Sequence, residues 1–240
     1  PGEVIEWYRR LGLELLEGYG MSENFAYSHV TRPGEVRVGY VGGTYPGVHC
    51  RISQVGEIEV KSPGTMLGYY KAPDLTAECL TPDGYLKTGD RGEIDDKGRL
   101  KITGRVKELF KTSKGKYVSP APIENKLLTH EHIEQCCVTG HGQPQPHAIV
   151  QLSEETRAAL EAGRVSREQV VADLEALIER VNESLDPHEH LEFVAIAQDT
   201  WAVENGYLTP TLKLKRAKVE SEFTPRAEEW YSARKRVLWS

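Results

Sequence analysis

The stretch RLKITGRVKELFKTSKGKYVSPAPIE, residues 99–124, separates two textures of sequence. Before and into it, the short runs VHCRI (48–52), GEIEVKS (56–62) and RLKITGRV (99–106) alternate apolar and polar residues between Gly, Pro and Asp turns, with DDKG (95–98) a tight-turn signal. A period of two puts one face of each run on a core, so these read as antiparallel strands of a sheet or small barrel. Next, ELFKTSKGKYVSP (108–120) reads as a hairpin turning near Lys114 and Gly115. Beyond it, Pro122 stands near the start of a helix running to about Leu128, and strands are expected at CCVTG (136–140), HAIVQL (147–152) and EFVAIA (192–197). The longest helix is predicted over 167–185, where Val170, Val171, Leu174, Leu177, Ile178, Val181 and Leu185 recur at helical spacing behind a capping-box pattern at Ser166 and Gln169. A last helix near 225–237 completes an α+β fold. GRVKELFK has the composition of a short, defined pivot and not of a loose Gly/Ser tether, so the boundary falls near residues 105–108, giving parts at 1–106 and 107–240.

At the other end, residues 3–16 start as a short helix with Val4, Trp7, Tyr8 and Leu11 on one face; Gly12 ends it, and Leu13 to Leu16 leads as a strand into a turn at Gly18 and Gly20. The opening PGEVIEWYRRLGLELLEGYG scatters charges in a way unlike a signal peptide. It runs without an initiator methionine straight into an amphipathic segment, which leads us to expect a piece of a longer protein. A net charge of −6 argues against a general nucleic-acid binder, although cations cluster from Arg105 to Lys116. No run approaches the length of a membrane span. Cys50, Cys79, Cys136 and Cys137 lack metal-ligand spacing and read as reduced, buried thiols, with the adjacent pair pointing to opposite faces of a strand. The histidines (His130, His132, His141, His147, His188 and His190) read as surface or loop residues and not as metal ligands.

Four segments carry polar residues that a core does not need. EGYGMSE (17–23) offers an aromatic, a hydroxyl and a carboxylate that can stack a base, touch a phosphate and hold magnesium; alone, it reads equally well as a glycine turn before a helix N-cap at Ser22. In DGYLKTGD (83–90), Asp90 can accept from two neighbouring hydroxyls, or be a surface turn residue. ITGRVKELFKTSKGKYVSP (102–120) carries cations at 105, 107, 111, 114 and 116, suited to hydroxyls and phosphate or to a solvated basic hairpin, and Gly115 would let a slender ligand approach the backbone. In NGYLTPTLKLKR (205–216), Lys213 can neutralise charge building on phosphorus, or be an exposed strand lysine.

Their order is more specific than any one of them. YGMSE, GTMLGYYKAPDLT, YLKTGD, GRVKELFK and LTPTLKLKR resemble, in sequence, the motif series of the adenylate-forming (AMP-binding) superfamily, which includes acyl-CoA synthetases, firefly luciferase and peptide-synthetase adenylation domains. The resemblance runs from about residue 1 to 220, and GKYVSPAPIE with NGYLTPTLKLKR looks most like the long-chain fatty acyl-CoA synthetase branch. It implies the antiparallel, β-rich end of a large N-terminal domain, followed by a small, mobile α+β lid. It implies a ligase that uses ATP to turn a carboxylic acid into an acyl-adenylate, releasing pyrophosphate, and passes the acyl group to coenzyme A. Tyr19 with Gly20 would then pack on adenine, Ser22 (where the family more often has Thr) would touch phosphate and Glu23 would bind Mg2+. Asp90 and Arg105 would hold the ribose and Lys107 would be the hinge of a domain rotation. Lys213 would catalyse adenylation, while Lys114, Gly115, Lys116 and Tyr117 would line the coenzyme A tunnel.

The partners expected are the small molecules ATP, fatty acid and coenzyme A, with no nucleic acid, in a cytoplasmic protein whose membrane contact is at most peripheral. The family's Ser/Thr/Gly-rich phosphate loop and most of its acyl pocket would precede YGMSE, so the 240 residues alone are expected to have little or no ligase activity. Two rival readings are an adenylation domain loading a carrier-protein thiol or feeding a reductase, and a non-catalytic remnant acting as an interaction module. No carrier-type DSL serine follows in the chain, and Glu23, Asp90, Arg105 and Lys213 are all present, which speaks against a remnant.

Overall fold

A computed structural model describes residues 2–240, which form two compact units dividing between Glu108 and Leu109. In the first, α1 (Gly2–Arg10) precedes a small antiparallel sheet of β1 (Gly18–Tyr19), β2 (His29–Val30) and β3 (Gly43–Thr44). An antiparallel meander follows, built of β4 (His49–Ile52), β5 (Glu57–Lys61), β6 (Leu86–Ile94) and β7 (Leu100–Arg105), with α2 (Pro73–Cys79) between β5 and β6. Ile58, Val60 and Leu100 are fully buried in its core with Tyr19 and Val48. The DDKG turn joins β6 to β7 because Asp95 caps it: Oδ1 accepts from the amides of Lys97 and Arg99, and Oδ2 from the guanidinium groups of Arg99 and Arg37.

The second unit opens with the hairpin β8 (Phe110–Lys111) and β9 (Tyr117–Val118), followed by α3 (Pro120–Leu127). Then come β10 (Ile133–Thr139), β11 (His147–Leu152), α4 (Glu154–Glu161), α5 (Arg167–Asn182), β12 (Val194–Ile196), α6 (Arg216–Phe223), α7 (Ala227–Ala233) and β13 (Val237–Trp239). The sheet runs β10-β11-β12-β13, antiparallel at its first pair and parallel thereafter. Every residue of β11 is buried, since both faces of the sheet are covered. Val138, Val150, Leu174 and Ile178 pack on one face; Ile149, Phe193, Trp201 and Trp230 pack on the other. Cys136 and Cys137 go to opposite faces, as strand alternation requires. All four cysteines are free thiols, but Cys50 and Cys79 are only half-buried.

Several local expectations are corrected. The first helix stops at Arg10, and it turns Ile5 inward while Val4, Trp7 and Leu11 stay exposed. Leu13 to Leu16 pairs with no strand; Leu13 N–H instead closes the helix end on the Tyr8 carbonyl. As expected, Pro122 stands near the start of α3, which begins two residues earlier at Pro120, because both prolines fit a first turn that needs no intrahelical N–H. The capping box at Ser166 is half made: Ser166 Oγ accepts from Gln169 N–H, but the Gln169 amide donates to Asp173. The helix expected near 225–237 is the shorter α7, preceded by a 3-10 turn at Thr224–Arg226 and followed by β13. Pro225 lacks the N–H to continue α6, and Arg234 ends α7 in the left-handed region (φ 52°). His132 and His147 are buried, not on the surface.

Candidate active site

In the first unit three of the predicted residues, Tyr19, Asp90 and Arg105, meet around one carboxylate. Asp90 on β6 lies directly across the ladder from Arg105 on β7, and Arg105 Nε sits 3.2 Å from Asp90 Oδ1. The Tyr19 hydroxyl donates to Oδ2 at 2.8 Å. Asp90 N–H is held by Thr88 Oγ1 (3.1 Å), whose own proton goes to the Ile58 carbonyl. Each carboxylate oxygen carries two lone pairs, so each can accept one further hydroxyl. Burial, with the neighbouring Asp90 charge adding to it, pushes the Tyr19 phenol above its ordinary range, so it remains a donor. Its ring is buried in the core cluster, 6.0 Å from the His29 ring.

The GYGMSE segment turns tightly after Tyr19. Ser22–Asn24 forms a single 3-10 turn, closed by Asn24 Oδ1 accepting from Met21 N–H at 3.0 Å. A Cβ on Gly20 would lie 2.5 Å from the Ala26 Cα, so only glycine fits. Phe25 and Ala26 follow with φ of 55° and 53°. Ser22 is exposed and Glu23 half-buried, with Glu23 Oε1 accepting from the Tyr69 hydroxyl at 2.7 Å. That bond, more than burial, pushes the Tyr69 phenol up to about 12. Among the described residues no three His, Cys, Asp or Glu side chains converge as a metal centre. Lys107 is exposed in a 3-10 turn at Val106–Glu108, next to the division between the units.

In the second unit, Lys114, Gly115, Lys116 and Tyr117 are all exposed on the β8–β9 hairpin. The turn is closed by Gly115 N–H to the Thr112 carbonyl (2.9 Å), and Gly115 has φ 79°, a conformation that disfavours any side chain. Lys213 is exposed on the turn Thr209–Lys213, tied by Thr209 N–H to the Lys213 carbonyl (2.8 Å) and by Lys213 N–H to Thr209 Oγ1 (3.0 Å). An isolated bridge between Leu208 and Leu214 seats the base of this turn. Leu212, just before the lysine, is held at φ 59°.

Sequence reasoning gave no role to Tyr69, Thr88 or Thr209. Tyr69 stands in the quoted motif GTMLGYYKAPDLT, but which of its two tyrosines would reach Glu23 is decided by the turn before α2, not by spacing.

The chain matches the family model described as the AMP-binding enzyme C-terminal domain over residues 108–235, just over half its length. It is 32% identical to the long-chain-fatty-acid–CoA ligase FadD15 of Mycobacterium bovis over 94% of this chain and 39% of that protein. It is 33% identical to human long-chain-fatty-acid–CoA ligase 6, over 92% of this chain and 35% of that protein. Among solved structures, the A domain of the Segniliparus rugosus carboxylic acid reductase, in complex with AMP and a co-purified carboxylic acid, is similar with a TM-score of 0.74 at 24% identity, over 97% of this chain and 38% of that one. The chain thus spans well under half the length of the relatives it matches. With its antiparallel meander and its α+β second unit, it belongs to the adenylate-forming, AMP-binding enzyme family.

Proposed function

We propose that this chain serves an ATP-dependent ligase that converts a long-chain fatty acid to its acyl-adenylate and then to its coenzyme A thioester. The observation that carries the reading is Asp90, oriented by Tyr19 and Arg105 with one acceptor site spare on each oxygen, a shape suited to a ribose diol. The names of the curated relatives support the fatty acid and the thiol.

In the first step a carboxylate oxygen of the acid bonds to the α-phosphorus of ATP, and the bond from that phosphorus to the bridging oxygen breaks, releasing pyrophosphate. Lys213 neutralises charge at the attacking carboxylate and α-phosphate. Ser22 touches phosphate. Magnesium fits the donor set only as an ion shared with phosphates and water, with Glu23 as the carboxylate from this chain; it would supply charge neutralisation there. In the second step the thiolate of coenzyme A bonds to the acyl carbon and AMP leaves with the bonding pair. Lys107 is the hinge whose rotation withdraws Lys213 and brings Lys114 to Tyr117 towards the pantetheine.

Lys213→Ala in the full-length protein carrying this chain tests the reading. Pyrophosphate exchange should fall by about 100- to 1000-fold, while a supplied acyl-adenylate still reacts with coenzyme A. Exchange at the wild-type rate would refute it. Thioester formed on a phosphopantetheinylated carrier, and not on coenzyme A, would refute the acceptor alone. The 240-residue chain by itself should turn over little or no ATP in a pyrophosphate-release assay.

A further inference from the structure

Three residues past Lys213, Arg216 opens α6 and reaches across to two other elements. Its Nη1 donates to the Val138 carbonyl at 2.8 Å and lies 3.3 Å from Cys137 Sγ, while Nη2 pairs with Glu124 Oε1 on α3 at 2.5 Å. The same Glu124 oxygen accepts from Val138 N–H at 2.8 Å, so carboxylate, guanidinium and the β10 backbone form one closed set. Both side chains are largely shielded, at 18% and 14% exposure. A second tie, Thr139 Oγ1 to Glu220 Oε1 at 3.1 Å, holds the next turn of α6 to the same strand. Between the Lys213 turn and α6 the backbone has no slack: Lys215 N–H donates to the Tyr207 carbonyl at 2.7 Å.

We propose that Arg216, clamped by Glu124 and the Val138 carbonyl, is the positioning residue that fixes the Lys213 turn on the second unit. This rests on the proposed role of Lys213. A planar fork of donors satisfies a carboxylate and a carbonyl at once, which a lysine ammonium cannot reproduce in the same geometry. The β8–β9 hairpin is held by bonds that involve neither Arg216 nor Glu124, Ser113 N–H to the Gln143 carbonyl and Gly142 N–H to the Lys111 carbonyl, both at 2.9 Å. Loosening Arg216 therefore affects the step that uses Lys213 and spares the step that uses the hairpin.

The test is Arg216→Lys, with Glu124→Gln beside it, in the full-length protein. A misplacement of about an ångström costs on the order of 100-fold. Pyrophosphate exchange should therefore fall about that far in kcat for Arg216→Lys, with KM for ATP and fatty acid within about twofold. Reaction of supplied acyl-adenylate with coenzyme A should stay within about twofold. Glu124→Gln keeps an oxygen for Val138 N–H and should show the same split with a smaller loss. Equal losses in both half-reactions, no loss in either, or failure of both variants to fold would overturn the proposal, since the clamp would then be structural only. Lys213→Ala, run in parallel, separates the two ideas. If it abolishes exchange while Arg216→Lys leaves it intact, the clamp is wrong and the lysine's role stands; if it leaves exchange intact, the reading of Lys213 itself fails.

Discussion

Asp90 sits within a ladder, with both carboxylate oxygens engaged and its amide held by Thr88, whereas Lys213 stands exposed at the tip of a turn whose bonds are made by backbone and threonine. The cores behind them differ as well. The β-rich unit packs its meander around a small cluster, while the α+β unit buries a sheet on both faces. Under the proposed function, an acceptor for a nucleotide gains from a fixed orientation, and a cation used in one step gains from rigid support behind an exposed tip. Support in the α+β unit is therefore where a core mutation should cost most. Phe193→Ala, beneath the His147, Trp230 and Tyr231 rings, should lower the unfolding free energy by about 4 kcal/mol. Val60→Ala in the β-rich unit should lower it by about 2 kcal/mol. Urea denaturation measures both, and equal costs would break the comparison.

Acid should act on both units through imidazoles whose proton affinity burial lowers: His29 in one, and His147 with the less buried His130 in the other. Burial lowers His29 to about 4, beside Ser28 Oγ, and His147 to about 4, beside the Tyr231 hydroxyl. Between the ordinary imidazole value and 4 the unfolded chain binds the extra proton and the folded one does not. Stability is therefore full above about pH 6.5, falls by about 1 kcal/mol per pH unit for each of these two on acidification, and levels off near pH 4. Tryptophan fluorescence follows the α+β unit, where Trp201 and Trp230 lie in the same cluster as Phe193. His147→Phe should lessen that unit's acid slope and leave the His29 and His130 contributions in place. An unchanged slope would mean that His147 does not titrate in this window.

What the sequence disclosed follows the physics of each signal. Strands β4, β5 and β7 of the meander, the hairpin at Gly115 and the long helix were legible because period-two and helical spacings over several residues report burial directly. The motif order placed Asp90, Arg105 and Tyr19 on one list, and the ladder that joins them needed only the register across the DDKG turn. The short α4 and α6 were not legible: each buries so few side chains (Thr156 in one, Val219 and Phe223 in the other) that no periodicity forms. Strand β13 was hidden behind a helical pattern, because pairing with β12 is a long-range choice that local spacing does not encode. The Arg216–Glu124 pair joins residues 92 apart, and Val4, Trp7 and Leu11 show that a helical stripe alone does not say which way it faces.

Two turns solve opposite problems, and the second carries the smallest expected effect. At Gly20 the chain passes so close to Ala26 that no Cβ fits, so Gly20→Ala should cost about 2 kcal/mol through forced displacement of the 3-10 turn. At Leu212 a side chain is present where the backbone, at φ 59°, favours none. Leu212 is 65% exposed, so its removal forfeits little packing, and Leu212→Gly should relieve the left-handed conformation for a net gain of about 0.5–1 kcal/mol. If that strain serves to hold Lys213 at the tip of the turn, the stabilised variant should lose several-fold in pyrophosphate exchange while its thermal midpoint rises. A rise in both would mean that the residue before the lysine is under no such demand. A fall in the thermal midpoint would mean that Leu212 contributes contacts that outweigh its backbone cost.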